Sequence, residues 1–165
     1  MTKKVLVAYA TKLNSTIEVT QAIGETIAQN GTTVEIKPIK DIPDITGYDA
    51  AIIGSAIRMG QWLPEATNFV KDHLGVLSQI PTAIFSVHIL NLGDDPESQK
   101  ERLAYTDPVN KMLSPIAEAF FAGKIDPARL NFFERLLFKV VHSPAGDFRD
   151  WENIRNWANE VSQLI

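Results

Sequence analysis

The chain contains no cysteine among its 165 residues. Disulfides, thiolate catalysis, cysteine-ligated zinc and iron–sulfur sites are therefore excluded. No apolar stretch is long enough to span a bilayer, and the opening apolar run is too short for a signal peptide. Basic excess is missing too: the net charge is −4 and the pI about 5.4. With no dominant basic stripe to meet phosphates, a nucleic-acid partner is not expected. Three motifs are absent as well. There is no G-x-x-x-x-G-K-[ST] loop for a nucleoside triphosphate, no G-x-G-x-x-G dinucleotide fingerprint and no G-x-S-x-G nucleophile elbow. No histidine pairs with an acid at metal-ligand spacing, so no metal is expected; His73 and His142 look incidental.

What remains is ordinary globular composition, 45% hydrophobic and 22% charged, with nine glycines and nine prolines. That suits one domain over residues 1–165 with a full-sized core. Absence of cysteine suits the cytoplasm, which is the expected location.

The first 16 residues organise the rest. Residues 4–9 are an apolar run, as in a strand buried on both faces. A hydroxyl-rich stretch from Ala10 to Thr16 follows, and then a helix over 15–29. Its inner side is expected to carry Ile17, Ala22, Ile23, Ile27 and Ala28. Strand, short polar loop and helix place free backbone N–H groups and the positive end of a helix dipole against an anion. Thr11, Ser15 and Thr16 offer hydroxyls, Lys12 adds a cation, and Asn14 tolerates a positive φ. The plainer reading is a helix start in which Asn14 or Ser15 is simply an N-cap.

Further along, the pattern predicts strands at 32–36, 48–55, 81–87 and 115–122. Residues 37–47 read as a connection with a short turn at 39–42. Helices are expected over 64–77, over 97–113 with a break near Thr106 and Asp107, and over 130–141. Pro144 to Gly146 ends that last stretch. The final helix begins at Asp150 as cap and repeats Trp151, Ile154, Trp157, Ala158 and Val161 at helical spacing. Strands alternating with helices form a parallel α/β sheet with helices on both faces. Loops 10–16, 55–62 and 88–95 all follow strands, so they share one edge, where such sheets bind ligands.

The second loop holds Ser55, Ala56, Ile57, Arg58, Met59, Gly60 and Trp62. A flat apolar ring can pack on Met59 or Trp62, with backbone near Gly60 at its polar edge. The alternative makes Trp62 a cover over the sheet edge and Met59 filler. Arg58 faces either an anionic substrate or solvent. In the third loop, Ser86, Val87 and His88 lead to Asn91 and Gly93. A near-neutral His88 suits proton handling, and a purely structural histidine is the competing reading. Residues 130–141 are apolar on more than one face. They pack on their own domain, form a homodimer contact, or rest on a membrane surface.

These stretches together resemble the flavodoxin-like family over essentially the whole chain. The carriers are Val5 to Thr11 with Asn14-Ser15-Thr16, then Tyr48 to Gly60, then Phe85-Ser86-Val87. Phe132 to Lys139 and the Asp150-Trp151-Glu152 helix start complete them. The isoleucine–arginine pair before Gly60 is similar to the branch containing menaquinone-dependent protoporphyrinogen IX dehydrogenase. The resemblance implies a three-layer fold with a five-stranded parallel sheet in the order 2-1-3-4-5, and an extra helix before the last one. It implies non-covalent FMN, with Thr11, Asn14, Ser15 and Thr16 around the phosphate and loops 55–62 and 86–93 around the ring. Asn14 stands where glycine is usual, and Leu13 where that branch has an acid. The segment before the last helix is shorter and less basic than in the branch. Three functions follow as alternatives. The first is an FMN-dependent oxidoreductase acting on a porphyrinogen-like substrate with a quinone acceptor. The second is an electron carrier that serves a redox partner protein and has no substrate of its own. The third is a module of the same fold without flavin. Peripheral contact with the inner face of the membrane through 130–141 belongs to the first.

Overall fold

In the computed structural model, residues 2–126, 128, 130–140 and 145–165 are described, so Val141, His142 and Pro144 lie outside the described residues. The opening apolar run is β1 (Lys4–Ala10), in which Val5, Leu6, Val7 and Ala8 are all fully buried. Burial on both faces is what a central parallel strand requires. Helix α1 (Ser15–Ala28) returns the chain to β2 (Thr33–Pro38), which pairs parallel to β1. Its buried face is set by Val19, Ile23 and Ile27; Ala28, expected inside, is exposed. A single 3-10 turn at Ile39–Asp41 leads out of β2.

Next come β3 (Ala50–Arg58), a hairpin into β4 (Gln61–Trp62), α2 (Pro64–Asp72) and α3 (Leu74–Leu77). The sequence pattern gave 64–77 as one helix. The chain breaks at His73, whose φ of −107° lies outside the helical range. β5 (Thr82–His88) is buried at every position. α4 (Pro96–Tyr105) and α5 (Asp107–Met112) follow, split at Thr106 as Pro108 predicts. β6 (Ala117–Ala122) closes the sheet.

The long parallel strands run in the order β2-β1-β3-β5-β6, with β4 antiparallel off β3. Setting β4 aside, this is the 2-1-3-4-5 order, and helices pack on both faces in three layers. One face of the sheet buries Leu6, Ala51, Ile53 and Ile84 under α2 and α5 residues such as Phe69, Val70 and Val109. The other buries Val7, Ile52 and Phe85 against Ile23 and Ile27 of α1 and Ile154, Trp157 and Val161 of α7 (Trp151–Leu164). Asp150 caps α7 by accepting from the Asn153 N–H at 3.0 Å.

Between β6 and α7 lies an inserted unit. β7 (Lys124–Ile125) pairs antiparallel with β8 (Gly146–Asp147), and between them sits the extra helix α6 (Phe132–Val140). Strands of two residues carry no periodicity, so the pattern predicted neither β7 nor β8. α6 begins with a reciprocal cap. Asn131 Oδ1 accepts from the Glu134 N–H at 2.8 Å, and Glu134 Oε2 accepts from the Asn131 N–H at 3.0 Å. No helix among the described residues is long and apolar enough to cross a membrane.

Candidate functional site

The carboxyl ends of β1, β3 and β5 open on one cavity of about 530 Å³. Its lining brings the three loops together: Thr11, Lys12, Leu13, Ser15 and Thr16 from the first; Ala56, Ile57, Arg58, Met59 and Gly60 from the second; Val87, His88 and Asn91 from the third. A volume of this size suits a small organic cofactor or substrate.

In the first loop, Asn14 adopts the left-handed conformation, φ 65° and ψ −10°, and its side chain makes no cap hydrogen bond. Asn14 therefore turns the chain without capping it. By helix geometry the N–H groups of Ser15 and Thr16 have no intrahelical acceptor, while that of Ile17 donates to the Asn14 carbonyl at 3.1 Å. The hydroxyls of Thr11 and Thr16 are buried without any hydrogen-bond partner among the described residues. Thr16 as a residue is 1% exposed. Two orphaned hydroxyls beside a helix N-terminus are an unsatisfied donor set, which folding alone does not justify. An anion's oxygen is the kind of acceptor such a set would suit.

The second loop is not a loop throughout. β3 continues to Arg58, and Met59 and Gly60 form a two-residue hairpin with φ of 53° and 75°. Positive φ at both central positions is the tight turn that suits a twisted hairpin. It leaves Met59 83% exposed beside the cavity. Ser55, Ser86 and Trp62 do not line the cavity; they tie the structure behind it. The Trp62 indole N–H donates to Ser86 Oγ at 2.8 Å, and Ser55 Oγ accepts from the Leu63 N–H at 3.0 Å. Hydroxyls on β3 and β5 thus hold β4 and the start of α2 against the sheet.

The third loop is fastened from α4. Arg102 donates to the carbonyl oxygens of Asn91 and Gly93, each at 2.6 Å. Asn91 Nδ2 donates to the Tyr105 hydroxyl at 2.7 Å, with Asn91 itself at φ 57°. Gly93 is exposed and does not line the cavity. Asn14 borders only a small adjoining recess of about 60 Å³.

His88 is 4% exposed. Its Nδ1 lies 2.6 Å from the Leu90 carbonyl oxygen. A carbonyl only accepts, so Nδ1 carries the proton and Nε2 is the acceptor of the neutral ring. Burial pushes its pKa below the ordinary histidine value; the Leu90 bond opposes this, and the Arg102 charge adds to it. Neutral His88 thus lines the cavity, flanked by the Tyr105 and Phe120 rings at 5.6 and 6.4 Å.

The inserted unit completes the wall with residues that sequence reasoning left out of the site: Lys124, Ile125, Leu130 and Glu134. Arg58 at the mouth faces Glu134 Oε1 at 3.8 Å. Lys12 faces Glu65 at 3.8 Å on the opposite side. No signal in the sequence tied residues beyond 123 to the strand-end loops; their place depends on the β7–β8 pairing. The apolar side of α6 turns outward, with Phe132, Phe133, Leu136 and Val140 between 53% and 78% exposed.

Comparison with known proteins agrees with this geometry. The model of the family described as "Flavodoxin domain" matches residues 6–152. Protoporphyrinogen IX dehydrogenase [quinone] of Escherichia coli K12 is 24% identical over 173 residues, covering 98% of this chain and 96% of that protein. The protein of the same name from Leishmania major is 26% identical over 174 residues, covering 98% of this chain and 75% of its own length. Among solved structures, oxidised Flavodoxin 2 from Bacillus cereus superposes with a TM-score of 0.62 at 20% identity, covering 98% of this chain and 99% of that one.

Proposed function

The chain belongs to the flavodoxin-domain family, and from that premise we propose that it is an FMN-dependent oxidoreductase that takes electrons from a porphyrinogen-like substrate and passes them to a quinone. The observation that carries the flavin reading is the pair of buried, unpartnered hydroxyls of Thr11 and Thr16 at the start of α1. The substrate and acceptor rest on the names of the E. coli and Leishmania relatives, which cover nearly all of this chain.

FMN, when bound, supplies a carrier for two reducing equivalents. Thr11, Ser15, Thr16 and the first N–H groups of α1 hold its phosphate. The 56–60 hairpin offers backbone and the Met59 side chain to the ring. The third loop, held by Arg102 and Tyr105, fixes the opposite wall, so the site is set before any ligand arrives. His88 Nε2 accepts a proton at the cavity wall, because burial keeps its ring neutral. Arg58 at the mouth offers a cation to an anionic substrate and gives up Glu134 to do so.

The exposed apolar side of α6 favours contact with the membrane face, where a quinone is dissolved. Phe132, Phe133, Leu136 and Val140 share that side. A homodimer through the same side is the second reading. Sedimentation with lipid vesicles supports the first, and a doubled mass in light scattering without lipid supports the second.

The deciding experiment is the absorbance spectrum of the purified protein, followed by anaerobic reduction with a porphyrinogen and reoxidation by a quinone. A flavin spectrum with turnover supports the enzyme. A flavin spectrum without turnover, but with exchange of electrons with a redox protein, replaces it with a carrier. A colourless protein that takes up no added FMN removes both and leaves a module without flavin.

A further inference from the structure

The phosphate end of the cavity is bordered by a cation that does not belong to the strand–loop–helix unit. Gly123 follows β6 and lies directly over the start of α1. A Cβ built on it would stand 3.0 Å from Ser15 Oγ and 2.9 Å from Val87 Cγ1. The chain there is pinned on both sides: the Gly123 N–H donates to the His88 carbonyl at 2.8 Å, and its carbonyl accepts from the Phe148 N–H at 3.1 Å. Lys124 is the next residue. It is exposed, and it borders both the main cavity and the small recess beside Asn14 and Ser15.

The neighbouring cations are engaged elsewhere. Arg149 is held by Asp147 at 2.7 Å and by Glu18, and its guanidinium lies 4.6 Å from the centre of the Trp151 ring. Lys12 leans toward Glu65. Lys124 makes no ion pair among the described residues. Asp147 stands opposite it in the β7–β8 pair and feels its charge, and Glu18 and Asp126 border the same recess. The lysine also borders the cavity in which two buried hydroxyls lack partners.

We propose that Lys124 is a phosphate-binding residue, contributed by the inserted unit, that gives the site its preference for a phosphorylated flavin over riboflavin. This rests on the flavin reading above. The ammonium group adds a charge-assisted contact that the loop of hydroxyls and N–H groups does not supply. Because β7 holds Lys124 through its pairing with β8, the insertion and the cofactor are joined through this one side chain.

The test uses the full chain stripped of flavin and titrated with FMN, riboflavin and inorganic phosphate. Lys124→Gln is expected to weaken FMN about 10-fold, as loss of one charge-assisted bond should, and to leave riboflavin unchanged. Salt should weaken FMN binding to the native chain more steeply than to the variant. Lys124→Arg should restore most of the loss. Equal loss of FMN and riboflavin would make Lys124 a merely structural residue and overturn the proposal, as would no change in either. A native chain that binds neither flavin, yet is stabilised by inorganic phosphate in a Lys124-dependent way, would refute the flavin reading and keep the anion site.

Discussion

Replacing Thr16 with valine should make the flavin-free protein more stable and the flavin complex weaker. The two side chains have nearly the same shape. What changes is one hydroxyl, buried and without a partner among the described residues. An unsatisfied buried polar group costs about 1–3 kcal/mol. Its removal should therefore stabilise the empty protein by about 1 kcal/mol, the low end of that range, because valine fits imperfectly. For a chain of this size that is a rise of roughly 2–4 °C in Tm. A hydrogen bond to a charged phosphate contributes about 1.5–3 kcal/mol, so FMN affinity should fall roughly 10- to 150-fold. Thermal unfolding of stripped protein reads the first effect, and quenching of flavin fluorescence reads the second. Thr20→Val, one turn along, is the control. Its hydroxyl already donates to the Thr16 carbonyl at 2.6 Å, so valine there should cost about 1 kcal/mol and leave FMN untouched. If Thr16→Val lowers Tm and binds FMN as before, the cradle argument fails.

Gly54→Ala should be poorly tolerated, because a Cβ there would fall within the fully buried Phe85 ring; overpacking of this kind costs about 1–3 kcal/mol or more, read as a lower denaturation midpoint. Asn14→Gly should keep both stability and FMN affinity, whereas Asn14→Ala should cost about 1–2 kcal/mol for a left-handed alanine; chemical denaturation compares the two. His88 makes stability depend on pH. Its folded pKa lies below the ordinary 6.5, so the unfolded chain takes up the proton first as pH falls. The contribution is full above about pH 6.5 and is lost as pH drops toward the folded value. His88→Gln should flatten the stability curve over that range, and a native curve already flat there would contradict a buried neutral ring.

The fold was legible because its signals are local. Residues 5–9 are a continuous apolar run and residues 83–87 are apolar but for Ser86, and such runs mean strands covered on both faces. Pro64 and Asp150 mark helix starts by the backbone chemistry of their own positions. Most of the site was legible for a related reason, since residues after parallel strands must share an edge. The hydrogen bonds of Trp62, Ser55 and Ser86 were not legible because nothing in a sequence tells an indole aimed at a ligand from one bonded to a serine 24 positions away. Lys124 and Glu134 were missed because a two-residue pairing, β7 with β8, carries them to the cavity. Such a pairing is decided by tertiary contact and has no periodicity to read.

Glu134 divides its carboxylate between two tasks. One oxygen closes the reciprocal cap that starts α6, and the other faces Arg58 at the cavity mouth. Truncating either partner is therefore not an equivalent experiment. Loss of Arg58 removes a solvent-screened contact and spares the helix start, while loss of Glu134 uncaps α6 and opens the mouth together. Whatever anion draws Arg58 inward leaves the second oxygen at its post, so the helix above the entrance keeps its anchor while the entrance changes hands.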